Sequence, residues 1–406
     1  MNSNIWIFNQ YAITPDMPGG TRHYELSKRL VEKGCNVTIF ASSFHYQKFA
    51  DSKLSENEKY KIEVKDNVAF IWIKSFPYKK NNWKRIVNML TYSLRAYKLS
   101  QILLKREKIN LPDVVVGSSV HLFSVLVAYF ISKKLKVKFI MEVRDLWPAT
   151  LIEFKKILKY HPLITFLSLL EKFLVNRADI LITVLPNVHL YYSKFNIEEK
   201  NIIWIPNGVH TDVFKAETKK KEEFTIMYAG IFGLEGNLET LIQAAKILKQ
   251  KQNGIKFILL GSGERKKLLL ELVEKYELQN VEFRNPVGKE KMPAMLAGAD
   301  VFWLGTRKVK NLYKYGFSFN KLFEYLAAGR PIIFSIDSEY NPVKEADAGL
   351  TIPPEDARAL SDAITTLFLM PKNELRQLGE NGRKYARKYY DWDILSQKLY
   401  DLIQNL

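Results

Sequence analysis

Residues 320–333 read Asn-Lys-Leu-Phe-Glu-Tyr-Leu-Ala-Ala-Gly-Arg-Pro-Ile-Ile, and this stretch decides how the rest of the chain is interpreted. Its apolar residues recur at helical spacing, Gly329 is placed to end a helix, and the proline then leads into a short apolar run. The stretch therefore predicts a helix followed at once by a core strand. Glu324 is an acid inside that helix, where a core has no use for it. We expect Glu324, with Asn320 and Lys321 beside it, to hold the hydroxyls and phosphate of a ligand.

Strand-like apolar runs alternate with helical patterns over almost the whole chain. In the first half, strands are predicted at residues 5–8, 37–40, 69–73, 114–116, 139–143 and 180–184. In the second half, they are predicted at residues 224–228, 257–261, 281–283, 301–304 and 331–335. This alternation predicts an α/β protein with two doubly wound, Rossmann-like domains. Since such sheets bind ligands beyond the carboxyl ends of their strands, we expect the domains to face a central cleft.

The chain length of 406 residues also favours two domains over one. A lysine-rich segment without apolar periodicity, residues 215–223, predicts a linker between a first domain of residues 1–214 and a second of residues 224–388. The last helical pattern, within residues 389–406, carries an apolar stripe. That stripe shows only that the helix packs on another surface.

The formal net charge of +18 indicates an anionic partner, which could be a phosphorylated substrate, an anionic membrane or nucleic acid. The single cysteine, Cys35, excludes an internal disulfide framework and suits a reducing compartment. Residues 114–132 are uncharged and long enough to span a membrane, but their glycine, serines and histidine favour a strand, a loop and a buried helix. No signal-peptide pattern opens the chain, so we expect a cytoplasmic protein.

Three glycine-containing loops follow predicted strands, and each precedes a helical pattern. They are residues 16–21, 228–233 and 260–265. Glycine lets the backbone approach a ligand and helix N-termini favour anions, so these loops suit a diphosphate. Gly19 and Gly20 could form a simple turn before a helix, but their place after the first strand favours ligand binding.

The end of the strand at residues 139–143 is unusually polar, because Glu142, Arg144, Asp145 and Trp147 follow one another there. Arg144 can pair with a phosphate or a sugar oxygen, and Trp147 can stack on a sugar ring of an acceptor. The alternative is an internal salt bridge beside a core tryptophan. The density of polar groups favours the functional interpretation.

Residues 74–108 carry ten basic residues against one acid, interleaved with aromatic residues. Those that we expect at a membrane or acceptor surface are Lys79, Lys80, Trp83, Lys84 and Arg85. A similar pattern recurs at residues 155–162. This pattern is typical of a segment that lies on an anionic bilayer. An ordinary solvated face and a nucleic-acid interface are the alternatives.

Taken together, these stretches resemble the retaining glycosyltransferases of family GT4, which have the GT-B fold, and the resemblance covers almost the whole chain. Within that family the chain looks most like bacterial O-antigen and capsule enzymes of the N-acetylfucosaminyltransferase type, which share the stretches found here at residues 144–148 and 320–325. The resemblance implies a metal-independent hexosyltransferase without a cofactor. Its donor would be a UDP-sugar with an N-acetylated, 6-deoxy sugar, and its acceptor an undecaprenyl-diphosphate-linked glycan.

The resemblance also implies a peripheral location on the inner face of the cell membrane, no nucleic-acid partner, and a last helix that returns to the first domain. It places the ribose on Glu324 and the base near residues 286–287. The implied donor-binding residues are Gly19, Gly20, Gly230, Arg265, Pro286, Val287, Asn320, Lys321, Leu322 and Glu324. The candidate catalytic residues are Arg144, Lys321, Glu142 and Asp145.

The sequence departs from the family pattern where the sugar and the diphosphate bind. The first glutamate of the family's paired motif falls at Gly316, and the arginine and lysine of the usual diphosphate clamp fall at Ile231 and Glu235. We therefore expect Lys321 and Arg265 to replace that clamp. The missing acid at Gly316 is consistent with a donor sugar that has fewer hydroxyls.

Two other function classes stay open at this point. A UDP-sugar 2-epimerase would share the fold but needs acid and base groups facing the sugar, and the chain has only six histidines. The histidine that many relatives place after the strand of the first domain is Arg144 here. A non-catalytic module that binds membrane or nucleic acid would leave Glu324 and the glycine loops without a purpose.

Overall fold

The computed structural model describes residues 3–80, 82–155, 157–158, 160–195, 197, 201–214, 223–249, 254–308 and 310–406. The chain forms two compact units, of which the first consists of Met1–Pro206 with Trp392–Leu406 and the second of Asn207–Asp391. All but the last residue of the predicted linker, residues 215–222, lies outside the described residues.

Residues 207–214 belong to the second compact unit, whereas the domain boundary predicted from the sequence assigned them to the first domain. Backbone and side-chain hydrogen bonds explain this assignment. The N–H of Val209 donates to the carbonyl of Tyr390 at 2.9 Å, and the hydroxyl of Thr211 donates to Oδ2 of Asp391 at 2.5 Å.

The first unit contains an eight-stranded sheet with the order β10-β9-β8-β7-β1-β2-β6-β5. Its strands are β1 (Asn4–Phe8), β2 (Asn36–Ser42), β5 (Tyr60–Lys65), β6 (Val68–Ile73), β7 (Val114–Ser118), β8 (Lys138–Val143), β9 (Ile180–Thr183) and β10 (Ile202–Trp204). Only the edge strand β5 runs antiparallel to its neighbour. A separate small hairpin joins β3 (Phe44–His45) to β4 (Ala50–Asp51). The six strands predicted for the first half of the chain are all observed.

Helices cover this sheet. They are α1 (Arg22–Glu32), α2 (Trp83–Lys105), α3 (Leu122–Leu135), α4 (Ala149–Lys155), α5 (Pro162–Val175), α6 (Val188–Tyr192) and the C-terminal α15 (Trp392–Gln404). The apolar face of α15 joins the same core as β1 and α1, through Trp392, Leu395, Leu399 and Ile403. The uncharged run at residues 114–132 forms β7, a loop and most of the buried α3. Among the described residues, none of the helices combines the length and apolarity that a bilayer crossing requires.

The second unit contains a six-stranded, fully parallel sheet with the order β13-β12-β11-β14-β15-β16. Its strands are β11 (Phe224–Ile231), β12 (Ile255–Ser262), β13 (Val281–Arg284), β14 (Val301–Gly305), β15 (Ile332–Ser335) and β16 (Gly349–Thr351). Its helices are α7 (Leu238–Lys249), α8 (Lys266–Lys275), α9 (Met292–Leu296), α10 (Lys310–Tyr313), α11 (Asn320–Ala328), α12 (Pro342–Glu345), α13 (Ala357–Leu369) and α14 (Lys372–Tyr389).

Both sheets start in their middle, at β1 and at β11, and the strand order reverses there. The predicted α/β class with two doubly wound, Rossmann-like units is therefore confirmed. This reversal matters for function, because loops diverge at it and leave a ligand site beyond the carboxyl ends of the strands.

The stretch at residues 320–333 folds as predicted. It forms α11 and leads directly into the buried strand β15. Gly329 ends the helix with φ of 68°, in the left-handed region that favours glycine. A Cβ atom at that position would also lie 2.6 Å from the guanidinium of Arg383, so the close approach of α14 needs a glycine as well.

Candidate functional site

Glu324 lies on α11 with its carboxylate half-buried, while Leu322 and Phe323 beside it are fully buried in the core. Among the described residues, no hydrogen bond or ion pair satisfies this carboxylate. Burial raises the pKa of Glu324 to about 7, although the charge of Lys289 acts in the opposite direction. A half-buried carboxylate without partners can still accept hydrogen bonds from the hydroxyls of a ligand.

Lys321 lies one helical turn from Glu324 and is held by an aromatic residue. Its Nζ atom donates a hydrogen bond to the hydroxyl of Tyr228 at 3.0 Å and lies 4.6 Å from the centroid of that ring. The hydroxyl of Tyr228 donates in turn to the carbonyl of Ile231 at 2.9 Å. Within the described part of the chain, Lys321 pairs with no carboxylate, so its charge is available to a ligand.

The carboxyl end of β11 lies directly against α11. Tyr325 joins the two, because its hydroxyl accepts a hydrogen bond from the N–H of Ala229 at 2.7 Å and donates one to the carbonyl of the same residue at 3.2 Å. Gly230 follows with φ of 155°, where a side chain would be strained. The structure therefore places Lys321 near Gly230 at the carboxyl end of β11, with Glu324 one turn further along α11.

The glycines of the loop after β12 have a structural reason of their own. A Cβ atom on Gly261 would lie 1.9 Å from the carbonyl oxygen of Gly230, and one on Gly263 would lie 2.5 Å from that of Phe232. The two loops therefore need glycine in order to pack against each other. Packing alone accounts for these two glycines.

Arg265 follows this second loop, and its guanidinium is paired with Glu239 through Nε at 3.1 Å. Arg307, which the sequence analysis missed, donates to the same Glu239 oxygen at 3.5 Å and to the carbonyl of Leu234 at 3.1 Å. Two guanidinium groups thus share one carboxylate, so this corner of the site is positive. The signal that could have identified Arg307 is its position just after β14, at the same sheet edge.

Two of the departures from the family pattern have a structural explanation. Gly316 has φ of 90°, in the turn whose N–H donates to the carbonyl of Tyr313 at 2.9 Å, so a glutamate there would be strained. The carboxylate of Glu235 is hydrogen-bonded within the protein, because its Oε1 atom accepts a hydrogen bond from the hydroxyl of Tyr313 at 2.5 Å.

Three other predicted donor residues lie at the surface of the second unit. Asn320 is exposed at the first position of α11, and Pro286 and Val287 follow β13 in an exposed to half-buried segment. In the first unit, Gly19 has φ of 134° and Gly20 is exposed, and both lie just before α1. Their part in ligand binding stays a prediction.

Glu142 lies at the end of β8 and is buried in an ion pair of the first unit. Its two oxygens bind Nε of Arg22 at 2.7 Å and Nε2 of His23 at 2.6 Å. Arg22 also donates to the carbonyls of Ile205, at 2.8 Å, and of Pro206. Burial favours the neutral acid, yet the charges of His23 and Arg22 hold the pKa of Glu142 well below its usual range. Because both of its oxygens are already bound, we expect Glu142 to orient Arg22 and His23 and not to react itself.

The neighbours of Glu142 are more accessible. Arg144 is half-buried, its N–H donates to Oγ of Ser119 at 3.0 Å, and its guanidinium has no partner among the described residues. Asp145 is exposed. Trp147 is half-buried with an unpartnered Nε1 atom, as judged within the described ranges. The sequence analysis named an internal salt bridge as the alternative to a ligand site. Such a salt bridge exists, but it joins Glu142 to Arg22 and not to Arg144.

The basic and aromatic segment divides into two kinds of residue. Lys79, Lys80, Trp83 and Lys84 are exposed, whereas Arg85 is half-buried with its guanidinium over the ring of Tyr11. On α2, one helical face exposes apolar residues at Trp83 (63%), Ile86, Leu90 and Leu94 (64%). In the second segment, Lys156 and Lys159 lie outside the described residues, and so does the side chain of Lys155.

Two family models match this chain. The model described as Glycosyltransferase Family 4 matches residues 19–213, and the model described as Glycosyl transferases group 1 matches residues 210–385. One similar protein is "Putative colanic acid biosynthesis glycosyltransferase WcaL" of Escherichia coli (strain K12), 28% identical over 42% of this chain and 42% of its own length. Another is the GDP-mannose-dependent alpha-(1-6)-phosphatidylinositol monomannoside mannosyltransferase of Mycobacterium tuberculosis, 25% identical over 50% of this chain and 55% of its own. The chain thus spans about half the length of the curated relatives it matches.

Solved structures match over the full length. Sucrose-phosphate synthase from Thermosynechococcus elongatus superposes with a TM-score of 0.75 at 18% identity, covering 100% of this chain and 99% of that one. HepE of Anabaena, solved in complex with UDP and glucose, gives a TM-score of 0.68 at 13% identity, covering 100% of both chains. At these identities the likeness shows the fold, which is GT-B. The matches do not single out the N-acetylfucosaminyltransferase type. With a family 4 model over its first half and a group 1 model over its second, the chain belongs to the glycosyltransferases.

Proposed function

We propose that this chain is a retaining hexosyltransferase that moves a sugar from a UDP-sugar to a lipid-linked glycan in polysaccharide biosynthesis. The observation that carries the proposal is the unpartnered carboxylate of Glu324 beside the unpaired cation of Lys321 on α11. The relative named for colanic acid biosynthesis supports the pathway, and the neighbour solved with UDP and glucose supports the donor.

Glu324 is suited to the ribose end of the donor. A carboxylate accepts two hydrogen bonds from neighbouring hydroxyls, and its present burial without partners costs free energy that such bonds would recover. Binding of the ribose would therefore favour the ionised form of Glu324. This gives donor affinity a dependence on pH near 7.

Lys321 is suited to the diphosphate end. Its Nζ atom is fixed by Tyr228, so little reorganisation is needed when negative charge develops on the departing diphosphate. Arg265 and Arg307 add positive charge at the neighbouring strand ends. Fixed cations of this kind can stabilise the leaving group without a metal ion, so we propose a metal-independent reaction. Retention would follow from attack of the acceptor hydroxyl on the face from which the diphosphate leaves.

The sugar is proposed to be an N-acetylated, 6-deoxy hexosamine. Gly316 removes the acid that would bind sugar hydroxyls, and the backbone of that turn does not readily accommodate a replacement. Ile231, at the end of β11, is 66% exposed and offers an apolar contact instead of the cation expected there. Both features suit a sugar that presents methyl groups.

The acceptor is proposed to be an undecaprenyl-diphosphate-linked glycan, reached from the inner face of the cell membrane. The exposed apolar face of α2, bordered by Lys79, Lys80 and Lys84, complements an anionic bilayer. Nucleic acid would not explain four exposed apolar residues on one helical face. A UDP-sugar 2-epimerase is not favoured, because both family models are glycosyltransferases.

Nucleotide binding tests the donor assignment. Calorimetric titration of the whole chain with UDP, GDP, ADP and a short RNA should show binding of UDP alone in the micromolar range. Glu324→Gln should weaken UDP binding about tenfold, since two hydroxyl contacts to a charged acceptor weaken. The matched control is Glu274→Gln, an exposed glutamate on α8 of the same unit. Unchanged UDP affinity in Glu324→Gln would remove the assignment.

A further inference from the structure

Arg85 on α2 differs from the lysines around it, because it turns away from solvent. Its guanidinium lies 6.0 Å from the ring centroid of Tyr11. Its Nε atom is buried, and no hydrogen bond of standard geometry reaches it from the described residues. A buried cationic donor without an acceptor is rare in folded proteins, since its desolvation is not compensated.

Two tyrosine hydroxyls near Arg85 are also buried without a hydrogen bond of standard geometry from the described residues. Tyr78 is only 3% exposed, and its buried hydroxyl has no hydrogen-bond partner of standard geometry within the described residues. The buried hydroxyl of Tyr11 likewise lacks one. The ring centroids of Tyr11 and Tyr46 lie 5.1 Å apart, and Tyr11, Tyr78 and Tyr46 all interact electrostatically with the guanidinium of Arg85. Three buried polar groups therefore lie close together, and within the described residues none of them makes a hydrogen bond of standard geometry.

A second guanidinium reaches the same place. Both Arg144 and Arg85 act electrostatically on Tyr46, so both cations lie near this phenol. No carboxylate of the described chain pairs with either arginine. The buried acid at this edge, Glu142, is already engaged by Arg22 and His23.

The topology explains why these residues meet. Tyr11 follows β1, Tyr78 follows β6 and Arg144 follows β8, while Tyr46 lies in the turn of the β3–β4 hairpin. The carboxyl ends of these parallel strands share one edge of the sheet. His121, beyond β7, adds no charge, because burial and the charge of Arg85 lower its pKa to about 3.

A site of this composition selects its ligand by charge and by donor number. Two guanidinium groups supply positive charge and hydrogen-bond donors, and phenolic hydroxyls can add further donors, so the site suits an anionic ligand rich in acceptors. Phosphoryl oxygens meet both conditions better than a single carboxylate, which one arginine already satisfies. An ordered water could occupy the site in the absence of ligand, but it would leave both cations unneutralised.

We propose that Arg85, Arg144, Tyr11, Tyr46 and Tyr78 form a phosphoryl-binding site in the first unit, and that it holds the diphosphate of the lipid-linked acceptor. This inference rests on the proposed function, since it assigns the place of the acceptor's anionic group. It also changes the role of Arg85, which belongs to this site and not to the membrane-facing surface.

Binding of farnesyl diphosphate, a short prenyl diphosphate, tests the site in the whole chain. Saturating UDP is present throughout, so that the second unit does not compete for the probe. Arg85→Gln is expected to weaken binding about tenfold or more, because a charge-assisted contact is lost. Tyr78→Phe keeps the ring and the packing, and should weaken binding about threefold. Lys133→Gln, at an exposed position of α3 in the same unit, is the control and should stay within about twofold of the unaltered chain.

Three further arms identify the source of the phosphoryl group. Farnesol, which lacks phosphate, should not bind, and inorganic diphosphate should displace farnesyl diphosphate. Phosphatidylglycerol vesicles should bind Arg85→Gln as well as the unaltered chain. If vesicle binding falls in Arg85→Gln while farnesyl diphosphate binding does not, the site serves a lipid headgroup and the inference is wrong.

Two outcomes separate this inference from the proposed function. Normal farnesyl diphosphate binding in both Arg85→Gln and Tyr78→Phe, with UDP binding intact, overturns the phosphoryl site alone. Absence of UDP binding in the unaltered chain overturns the proposed function instead. Circular dichroism of each variant shows whether a loss of binding reflects a loss of fold.

Discussion

The Nζ atom of Lys321 lies 3.0 Å from the hydroxyl of Tyr228 and above the face of the same ring. The cation is therefore fixed by a neutral partner that cancels none of its charge. A lysine paired with a carboxylate would have to break that pair before it could act on a phosphate. Lys321 meets a ligand already oriented and still fully charged.

Lys321→Met is expected to reduce kcat about 100-fold with little change in stability, because the stabilisation of the leaving diphosphate is lost. Tyr228→Phe keeps the cation but removes its anchor, and should reduce kcat about threefold to tenfold. Steady-state measurement of UDP release with a lipid-linked acceptor gives both values. Lys267→Gln, a 90% exposed lysine on α8, is the control. A normal kcat in Lys321→Met would exclude Lys321 from the reaction.

Donor affinity should rise with pH around neutrality. The pKa of Glu324 is raised to about 7, and the ribose hydroxyls bind the ionised carboxylate better. Titration of UDP-glucose between pH 6 and pH 8 should show affinity increasing several-fold in the unaltered chain and hardly at all in Glu324→Gln. A UDP-sugar is the right probe, because its diphosphate does not titrate in this range. A pH-independent affinity in both proteins would contradict the ribose assignment.

The same carboxylate should destabilise the ligand-free protein at higher pH. Since the pKa of Glu324 is higher in the folded chain than in the unfolded one, the folded state binds more protons between about pH 4.5 and pH 7. The free energy of unfolding therefore falls as pH rises through that window. Urea unfolding at pH 8 should show Glu324→Gln to be more stable by about 3 kcal/mol, with the difference vanishing near pH 4.5. Equal stability at pH 8 would show that the carboxylate is already satisfied.

Breaking the buried ion pair of the first unit should be costly. Glu142→Gln leaves Arg22 charged and buried, and we expect a loss of about 3 to 5 kcal/mol in the free energy of unfolding. Removing both charges, in Glu142→Gln with Arg22→Met, should cost less than the sum of the single changes. Thermal unfolding measures the three variants. Strict additivity would mean that the two residues do not interact.

The exposed face of α2 should carry membrane binding. Trp83→Ser with Leu94→Ser should reduce co-sedimentation with anionic liposomes at low salt, because two apolar contacts with the bilayer are lost. Both side chains are mostly exposed and contribute little to the core, so the fold should not change. The UDP affinity of the second unit should not change. Leu369→Ser, at an exposed apolar position of α13, serves as control. Unchanged co-sedimentation would point to a solvated face.

The features that could be predicted from the sequence are those set by residues close together along the chain. The helix and strand at residues 320–333 follow from local periodicity and a glycine cap, and they are observed. The edge strand β5 was missed, because it is largely exposed and has no apolar run. The strand β16 was missed because it has only three residues.

Contacts between distant residues could not be predicted in the same way. Glu142 pairs with Arg22 and His23, which lie about 120 residues earlier, and no local pattern connects them. Arg85 belongs to a basic run by sequence, and only the fold shows that it turns inward toward Tyr11. Periodicity reports which face of an element is buried, but not which polar groups meet there.

The helix α15 has a consequence for how the protein is made. The first unit needs residues from both ends of the chain, since Trp392, Leu395 and Leu399 fill its core beside strands formed by the first 206 residues. During translation, the ribosome must complete the entire second unit before those side chains emerge. Until then the apolar side chains that pack against α15 lack that partner. The second unit can finish folding first, and the first unit to be synthesised is the last to be completed.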